Sequence, residues 1–473
     1  MADWTIMMYI SADNLLANFA IETLKQLRDA AGKPDPNGDN VSVVAEFDDS
    51  QQPHARMYFF DGDPKNRALS IEASRIEEKE IAKLKTLCNV NMTRPETLTE
   101  FIDYACKKSR TDHYCLVLWG HGIELLLDEE RRFGDSEKPV RRYLSIGNLT
   151  EALQKTKLLN KQVEGKPEAH LDIIGFDACS MSMVEVASEL RGCADFMVAS
   201  QEDVPDASFP YETILLELRK YNIGDNVEEV CKKIPELYSV AFRDYVATPN
   251  TGVKGITLSS LDLGKIHGIT ELLKNLAHAL LAASSDESLR KKVLSARKNA
   301  QDYVFGLLVD LYDFCTCLET ELVKASPGLQ SACEQIRAAL ELDQDGIVVA
   351  NQTDEERCRC HGLSIYFPYR DEDETDEAEV QFAKGTGRQP LKGTGRQPLK
   401  ERTVRIQELE ADFSGLEQFG ETEWMEFIRR GWSRILAKEA PFELDRYYSA
   451  EQVAQNLLRE PKPPKVLELG RTG

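Results

Sequence analysis

No apolar stretch in this 473-residue chain reaches the roughly eighteen residues that a membrane-spanning helix requires, so no span is expected. Basic residues are in deficit: 58 Lys and Arg stand against 80 Asp and Glu, a formal net charge of −22. That excludes a nucleic-acid binder, because neutralising phosphates takes clustered Lys and Arg, and it suits a cleft that attracts cations. Secretory features are missing too. Met1-Ala2-Asp3-Trp4 runs straight into Ile6-Met7-Met8-Tyr9-Ile10 with no basic leader and no small-residue cleavage signal, so a cytoplasmic protein is expected. The eleven cysteines, an odd number, lack the spacing of a disulfide scaffold and read as reduced thiols.

What is present is an alternation of strand-like and helix-like segments from residue 4 to roughly residue 260. Strands are expected over Thr5–Ser11, Val41–Phe47 and Met57–Phe60, the last two as a hairpin, and over Phe196–Ser200 as a last core strand. Helices are expected over Asn18–Ala31, Thr97–Lys108, Ile146–Lys155 and Met183–Leu190. This pattern predicts an α/β fold with a mostly parallel sheet flanked by helices on both faces. Past residue 250, strands at Gly255–Leu261 and Gly362–Pro368 and helices at Ile266–Ala283 and Leu289–Gln301 add to the same body.

Two apolar runs each end on a reactive residue: Leu116-Val117-Leu118-Trp119-Gly120-His121-Gly122 and Ile173-Ile174-Gly175-Phe176-Asp177-Ala178-Cys179. Both read as buried strands bounded by turn signals. In open α/β sheets, ligands bind beyond the carboxyl ends of such strands, so His121 and Cys179 can meet in space. A lone Cys at a strand end is most often a small buried hydrophobe, and a lone His a satisfied structural residue. No other His or Cys in the chain repeats this setting, which argues for a pair. A cysteine nucleophile calls for an electropositive, partly exposed site that favours thiolate. His121 would polarise the scissile carbonyl or protonate the leaving amine. The N–H groups of Gly122 and Cys179 are the candidate oxyanion donors, since glycine lets backbone approach closely.

With those residues in view, the sequence resembles the clostripain family of cysteine peptidases, relatives of caspases, gingipains and separases. The matching stretches are Trp4 to Asn14, Leu118 to Gly122, Gly175 to Met181, Glu185 to Leu190, Val198 to Asp203, Val309 to Phe314 and Gly362 to Pro368. The interval between His121 and Cys179 is also close to the roughly 50 residues found in caspase-type sequences. The resemblance implies a caspase-like fold, His121 and Cys179 as a catalytic dyad, and cleavage after Arg or Lys. It also implies that Asp177 forms the base of the pocket for the basic side chain, a role in which a carboxylate can pair bidentately with guanidinium. The loop 201–211 offers a second carboxylate, Asp206 first and Asp203 next, each of which would otherwise be a solvated loop residue. Two departures stand out. Phe209 occupies a position where the family often has Trp, and Ile123 to Asp128 replaces an expected Gly/Trp-rich continuation after His121-Gly122.

The expected organisation is a caspase-like domain over 1–250, an α/β region over 251–370, an acidic run with a tandem-repeat linker over 371–405, and a helical segment over 406–473 in which Trp424, Phe427 and Trp432 dock on the body. Two copies of Lys-Gly-Thr-Gly-Arg-Gln-Pro-Leu span 384–399, too few for a repeat fold and rich in breakers. Zymogens are common in the family, which makes Arg131, Arg132, Lys138, Arg141 and Arg142, read as a basic loop, and Arg388 and Arg396 in the repeats, candidate processing sites. No cofactor is expected. Cys358-Arg359-Cys360-His361 has no second cluster to complete a zinc site. Asp343-Gln344-Asp345-Gly346 starts like a calcium loop but has Asp354 where Glu is needed. Calcium stays the one ion considered, because some relatives use it.

The expected function is therefore a regulated intracellular cysteine endopeptidase acting on proteins with exposed Arg or Lys, released by an upstream protease or a partner, in a bacterial defence or signalling cascade. The alternative is a non-catalytic caspase-like module that binds Arg-containing peptides.

Overall fold

Strands that are buried on both faces read as continuous apolar runs, and the central strands of this chain do so. In the computed structural model, residues 4–12, 16–33, 41–49, 55–61, 91–123, 126–131, 140–160, 162–163, 166–167, 170–205, 207–219, 227–246, 255–303, 306–322, 326–342, 345–369, 416, 419–420 and 422–440 are described. Their strands are β1 (Trp4–Ala12), β2 (Val41–Asp49), β3 (Arg56–Phe60), β4 (His113–Trp119), β5 (His121–Ile123), β6 (Leu126–Arg131), β7 (Val140–Leu144), β8 (Gln162–Val163) and β9 (Lys166–Pro167). The second half of the series is β10 (Leu171–Asp177), β11 (Ala194–Ala199), β12 (Thr257–Asp262), β13 (Asp302–Tyr303), β14 (Leu308–Asp310), β15 (Val348–Thr353) and β16 (Ser364–Tyr366).

Eight of these strands form one sheet in the order β15-β12-β11-β10-β4-β1-β2-β3. The five from β11 to β2 run parallel, and β3, β12 and β15 join antiparallel at the edges. The mostly parallel sheet read from the sequence is thus present, including the β2–β3 hairpin. The strand expected at Phe196–Ser200 is β11, and the one expected at Gly255–Leu261 is β12, which with β15 extends the same sheet to its edge. Pairing partners so distant in sequence leave no local signal.

Side chains alternate between two cores. Along β4, Leu116 and Leu118 face one, while Cys115, Val117 and Trp119 face the other. Helices Pro95–Lys108, Ile146–Lys155, Val184–Glu189 and Ile266–Ala283 cover the first face through residues such as Phe101, Leu149, Val184 and Leu276. Helices Ala17–Ala31, Tyr211–Leu218 and Val227–Val246 cover the second through Leu24, Leu215 and Tyr238. Two starts have visible caps: Ser145 accepts from the Asn148 N–H at 3.2 Å, and Asp286 from the Leu289 N–H at 2.9 Å. The Asp286 cap sets the start of helix Glu287–Asn299 two residues ahead of the expected one.

A small sheet, β13-β14-β16, lies in the second half of the chain. Trp424, Phe427 and Trp432 are fully buried around Phe367, with ring centroids 5.3, 5.7 and 4.5 Å from it. Both indoles are satisfied: Trp424 donates to the Tyr366 carbonyl at 3.0 Å and Trp432 to the Pro368 carbonyl at 2.8 Å. The C-terminal helical turns are therefore docked on the end of β16 and the Phe367-Pro368 that follow it.

Candidate active site

β4 and β10 are parallel neighbours, and the last rung between them pairs Trp119 with Asp177. His121 and Cys179 therefore each stand two residues beyond the same rung, at the carboxyl end of the sheet. The junction is closed by the Gly120 N–H, which donates to the Asp177 carbonyl at 3.3 Å. Gly122 then lies directly against the Cys179 turn. A Cβ at Gly122 would stand 2.5 Å from the Cys179 nitrogen and 2.9 Å from the Ala178 carbonyl carbon, so only glycine fits. The backbone of His121 opens β5, opposite Asp128 in β6.

The turn that carries Cys179 is held from both sides. Ser180 adopts a left-handed φ of 57°, and its N–H donates to the Glu202 carbonyl at 3.1 Å. Ser182 donates its N–H to the Ser200 carbonyl at 2.9 Å and its hydroxyl to the Gly362 carbonyl at 2.6 Å. The Ser364 N–H returns to the Ser182 carbonyl at 2.9 Å. A non-glycine residue in this conformation persists only where its surroundings over-determine it, and here the 200–202 and 362–364 segments do.

Cys179 is half-buried beneath the 201–204 segment, whose Val204 N–H points at Sγ from 3.4 Å. Burial pushes the thiol well above its ordinary pKa, and the carboxylates of Asp203 and Glu202 push it further, against the Val204 hydrogen bond. The electropositive setting expected for a nucleophile is thus corrected: β11 runs on into Glu202 and Asp203, which bring negative charge to Sγ. The nearby Arg357 pairs with Glu202.

Asp177 is buried and takes three hydrogen bonds on Oδ2, from the Ser208 hydroxyl, from the Phe209 N–H at 3.1 Å and from the Tyr211 hydroxyl at 2.7 Å. Trp119 in turn donates its indole N–H to Ser208 Oγ at 2.6 Å. Burial raises the Asp177 pKa to about 6, outweighing the three hydrogen bonds that pull it down. Phe209, the residue standing where Trp is common, packs on Tyr238 with centroids 5.6 Å apart.

The sequence model of the clostripain family matches residues 8–428, through both strand ends and into the first of the docked C-terminal turns. The chain belongs to the clostripain family. Clostripain of Hathewaya histolytica is 24% identical over 352 residues, covering 66% of this chain and 64% of clostripain, so the match spans less than two thirds of that relative. Among solved structures, an inactive zymogen C11 protease from Parabacteroides distasonis superposes with a TM-score of 0.52 at 19% identity, covering 81% of this chain and 96% of that one. A secreted C11 cysteine protease from Bacteroides thetaiotaomicron, solved with an irreversible peptide inhibitor, gives 0.53 at 16%, covering 82% and 99%. At these identities the likeness is one of fold.

Against this clostripain-family frame, the structure brings Asp203 beside Cys179, while Asp206 lies outside the described residues. Arg131, Arg141 and Arg142, expected in a loop, belong to strands: Arg131 pairs with Val140, Arg141 with Glu130 and Arg142 with Glu129. Of the Ile123–Asp128 departure, Ile123 ends β5 and Leu126 to Asp128 begin β6, and β5, β6 and β7 form one sheet. Arg132, Lys138, the acidic run and the 384–399 repeats with Arg388 and Arg396 lie outside the described residues. Of the metal candidates, Cys360 accepts from the Tyr303 hydroxyl at 2.7 Å, His361 stacks on Tyr312 at 3.9 Å and Cys358 is exposed. Asp343 lies outside the described residues.

Sequence reading missed the polar groups that hold the site. Gln201 donates to Asp310 at 3.0 Å and accepts the Gly362 N–H at 2.8 Å, tying the Val309–Phe314 and Gly362–Pro368 stretches to the segment over Cys179. Ser208, Tyr211 and Gln201 are single polar residues without a pattern. The one available signal was that both stretches were already part of the resemblance.

Proposed function

We propose that this chain is a cysteine endopeptidase cutting proteins after Arg, and after Lys less well. The observation that carries the reading is the shared Trp119–Asp177 rung: the backbones of His121 and Cys179 each stand two residues beyond it, and Asp177 itself is buried. In the proposed reaction the Cys179 thiol passes its proton to His121 and Sγ attacks the scissile carbonyl. The oxyanion is received by the Gly122 and Cys179 N–H groups, and His121 returns the proton to the leaving amine. Water then releases the acyl group from Sγ and restores the thiol. Asp177 receives the basic side chain, with Asp203, and Asp206 further along the same loop sequence, as the second carboxylate candidates.

The covered thiol beside Asp203 and Glu202 supports regulation, because its raised pKa opposes thiolate in the intact chain. Activation then requires a shift of the 201–204 segment or a new cation near Sγ, and cutting at one of the candidate Arg or Lys positions by another protease, or by this one in trans, would provide it. The ten free cysteines among the described residues suit a reducing cytoplasm.

The test compares fluorogenic peptides ending in Arg, Lys, norleucine or Asp, before and after limited trypsin treatment. Arg is expected to exceed norleucine by at least about 100-fold in kcat/KM. No turnover of any peptide after trypsin would favour the non-catalytic binding module instead. A second expectation concerns Gly122→Ala. The added methyl must displace β5 from the Cys179 turn, so kcat is expected to fall by about 100-fold while the melting temperature moves by only a few degrees. Unchanged kcat would remove Gly122 from the site.

A further inference from the structure

The opposite end of the sheet carries a cluster that the proposed peptide chemistry does not use. At the amino ends of β4, β10 and β11 stand His113, His170, Asp172 and Asp195. Nε2 of His170 lies 2.8 Å from Asp195 Oδ2 and 3.5 Å from Asp172 Oδ1. Among the described residues this is the one group in which three ligand atoms from His, Cys, Asp or Glu all lie within 4.8 Å of one another.

From this geometry we propose that His170, Asp172 and Asp195 form a binding site for a divalent transition-metal ion of the zinc type. Zinc sits about 2.0–2.2 Å from imidazole nitrogen and carboxylate oxygen, which places tetrahedral ligand atoms about 3.4 Å apart. The His170–Asp172 spacing already has that value. The His170–Asp195 spacing needs to open by about 0.6 Å to reach it, and both side chains are half exposed. Water completes the fourth position.

Asp172 makes the site a built one. It is buried, with 2% of its side chain exposed, and its two oxygens are oriented by separate donors. The Tyr114 N–H donates to Oδ2 at 2.7 Å, and His113 Nδ1 lies 2.8 Å from Oδ1. His113 is itself held by stacking on Trp4, with centroids 5.0 Å apart. Such partners fix a ligating carboxylate in place. The nitrogen donor selects against calcium and magnesium, which take oxygen ligands, and in favour of zinc, nickel or cobalt. Leu171 pairs with Ala194, so an ion here pins β10 to β11 where both strands begin. The seven-residue β10 separates it from the Asp177 end of the strand by roughly 20 Å, which gives the ion a stabilising role rather than a catalytic one.

The test uses the tag-free Cys179→Ala chain, so that neither the nucleophile nor self-cutting confuses the reading. Calorimetric titration with Zn2+ is expected to find one strong site with a Kd of about 1–10 µM, and saturation to raise the melting temperature by at least about 3 °C. His170→Ala and Asp195→Asn, both at half-exposed positions, are each expected to weaken binding at least about tenfold, and Cys358→Ser to leave it unchanged. Co2+ bound there should show visible ligand-field bands without a thiolate charge-transfer band. No binding at 1 mM Zn2+ (roughly −4 kcal/mol), binding retained in both His170→Ala and Asp195→Asn, or loss in Cys358→Ser would each overturn the proposal.

Discussion

Cys179→Ala is expected to lower turnover of an Arg peptide by about 10^4-fold or more, since it removes the sulfur on which the proposed acyl intermediate forms. The fold should survive. The Val204 N–H reaches Sγ only at 3.4 Å, and the turn is held instead through the N–H groups of Ser180 and Ser182 and the Ser182 hydroxyl. Mass spectrometry of the purified wild type beside the variant adds a second reading. If the wild type arrives cut after Arg or Lys and Cys179→Ala arrives whole, the cutting is its own. Turnover of the variant within tenfold of wild type would place the nucleophile elsewhere.

The second large effect belongs to Asp177→Asn. Asparagine keeps an acceptor for Ser208, Phe209 and Tyr211 but removes the charge, so kcat/KM for Arg and Lys peptides is expected to fall by about 10^2 to 10^3. The norleucine peptide should change little. That split separates a specificity role from mere support of the 208–211 segment, which would depress every substrate alike.

The pH dependence of Asp177 has two opposite signs. Its folded pKa of about 6 exceeds the ordinary 3.8, so between those values the folded chain keeps a proton that the unfolded chain has released. The stability this supplies is present below about pH 4 and is lost as pH rises to about 6, a swing on the order of 3 kcal/mol. Asp177→Asn should therefore gain stability relative to wild type toward neutral pH. Arg cleavage runs the other way, because only the ionised carboxylate pairs with guanidinium, so wild-type kcat/KM should rise through about pH 6. If Asp177→Asn keeps that limb and the wild-type preference of Arg over norleucine, Asp177 is not the specificity carboxylate.

Much of the sheet was legible because its central strands are uniformly apolar: Ile6 to Ile10, Leu116 to Trp119 and Ile173 to Phe176 admit no solvent-facing side. Other elements were not. Helix Val227–Val246 runs through Pro235, which pattern reading takes as a stop because proline lacks the N–H and clashes with the preceding turn. β15, Val348-Val349-Ala350-Asn351-Gln352-Thr353, is half polar because it lies at the sheet edge, and only its pairing with β12 makes it a strand. Of the site, the two reactive residues and Asp177 stood out through their strand-end positions. Ser208, Tyr211, Gln201 and Arg357 did not, since a lone polar residue becomes informative only when its partner is known.

By itself, the sequence determined which segments are buried strands, that two of them end in His121 and Cys179, and that the surroundings are acidic. Local composition and period suffice for that, because burial of both sheet faces is written into each strand. Tertiary structure alone decided the Trp119–Asp177 register, the covering of Cys179 by Val204 and Asp203, and the meeting of His170, Asp172 and Asp195 at the opposite end of the strands. Each of these depends on which distant strands become neighbours, a choice made by the packing of the two cores together rather than by any single segment.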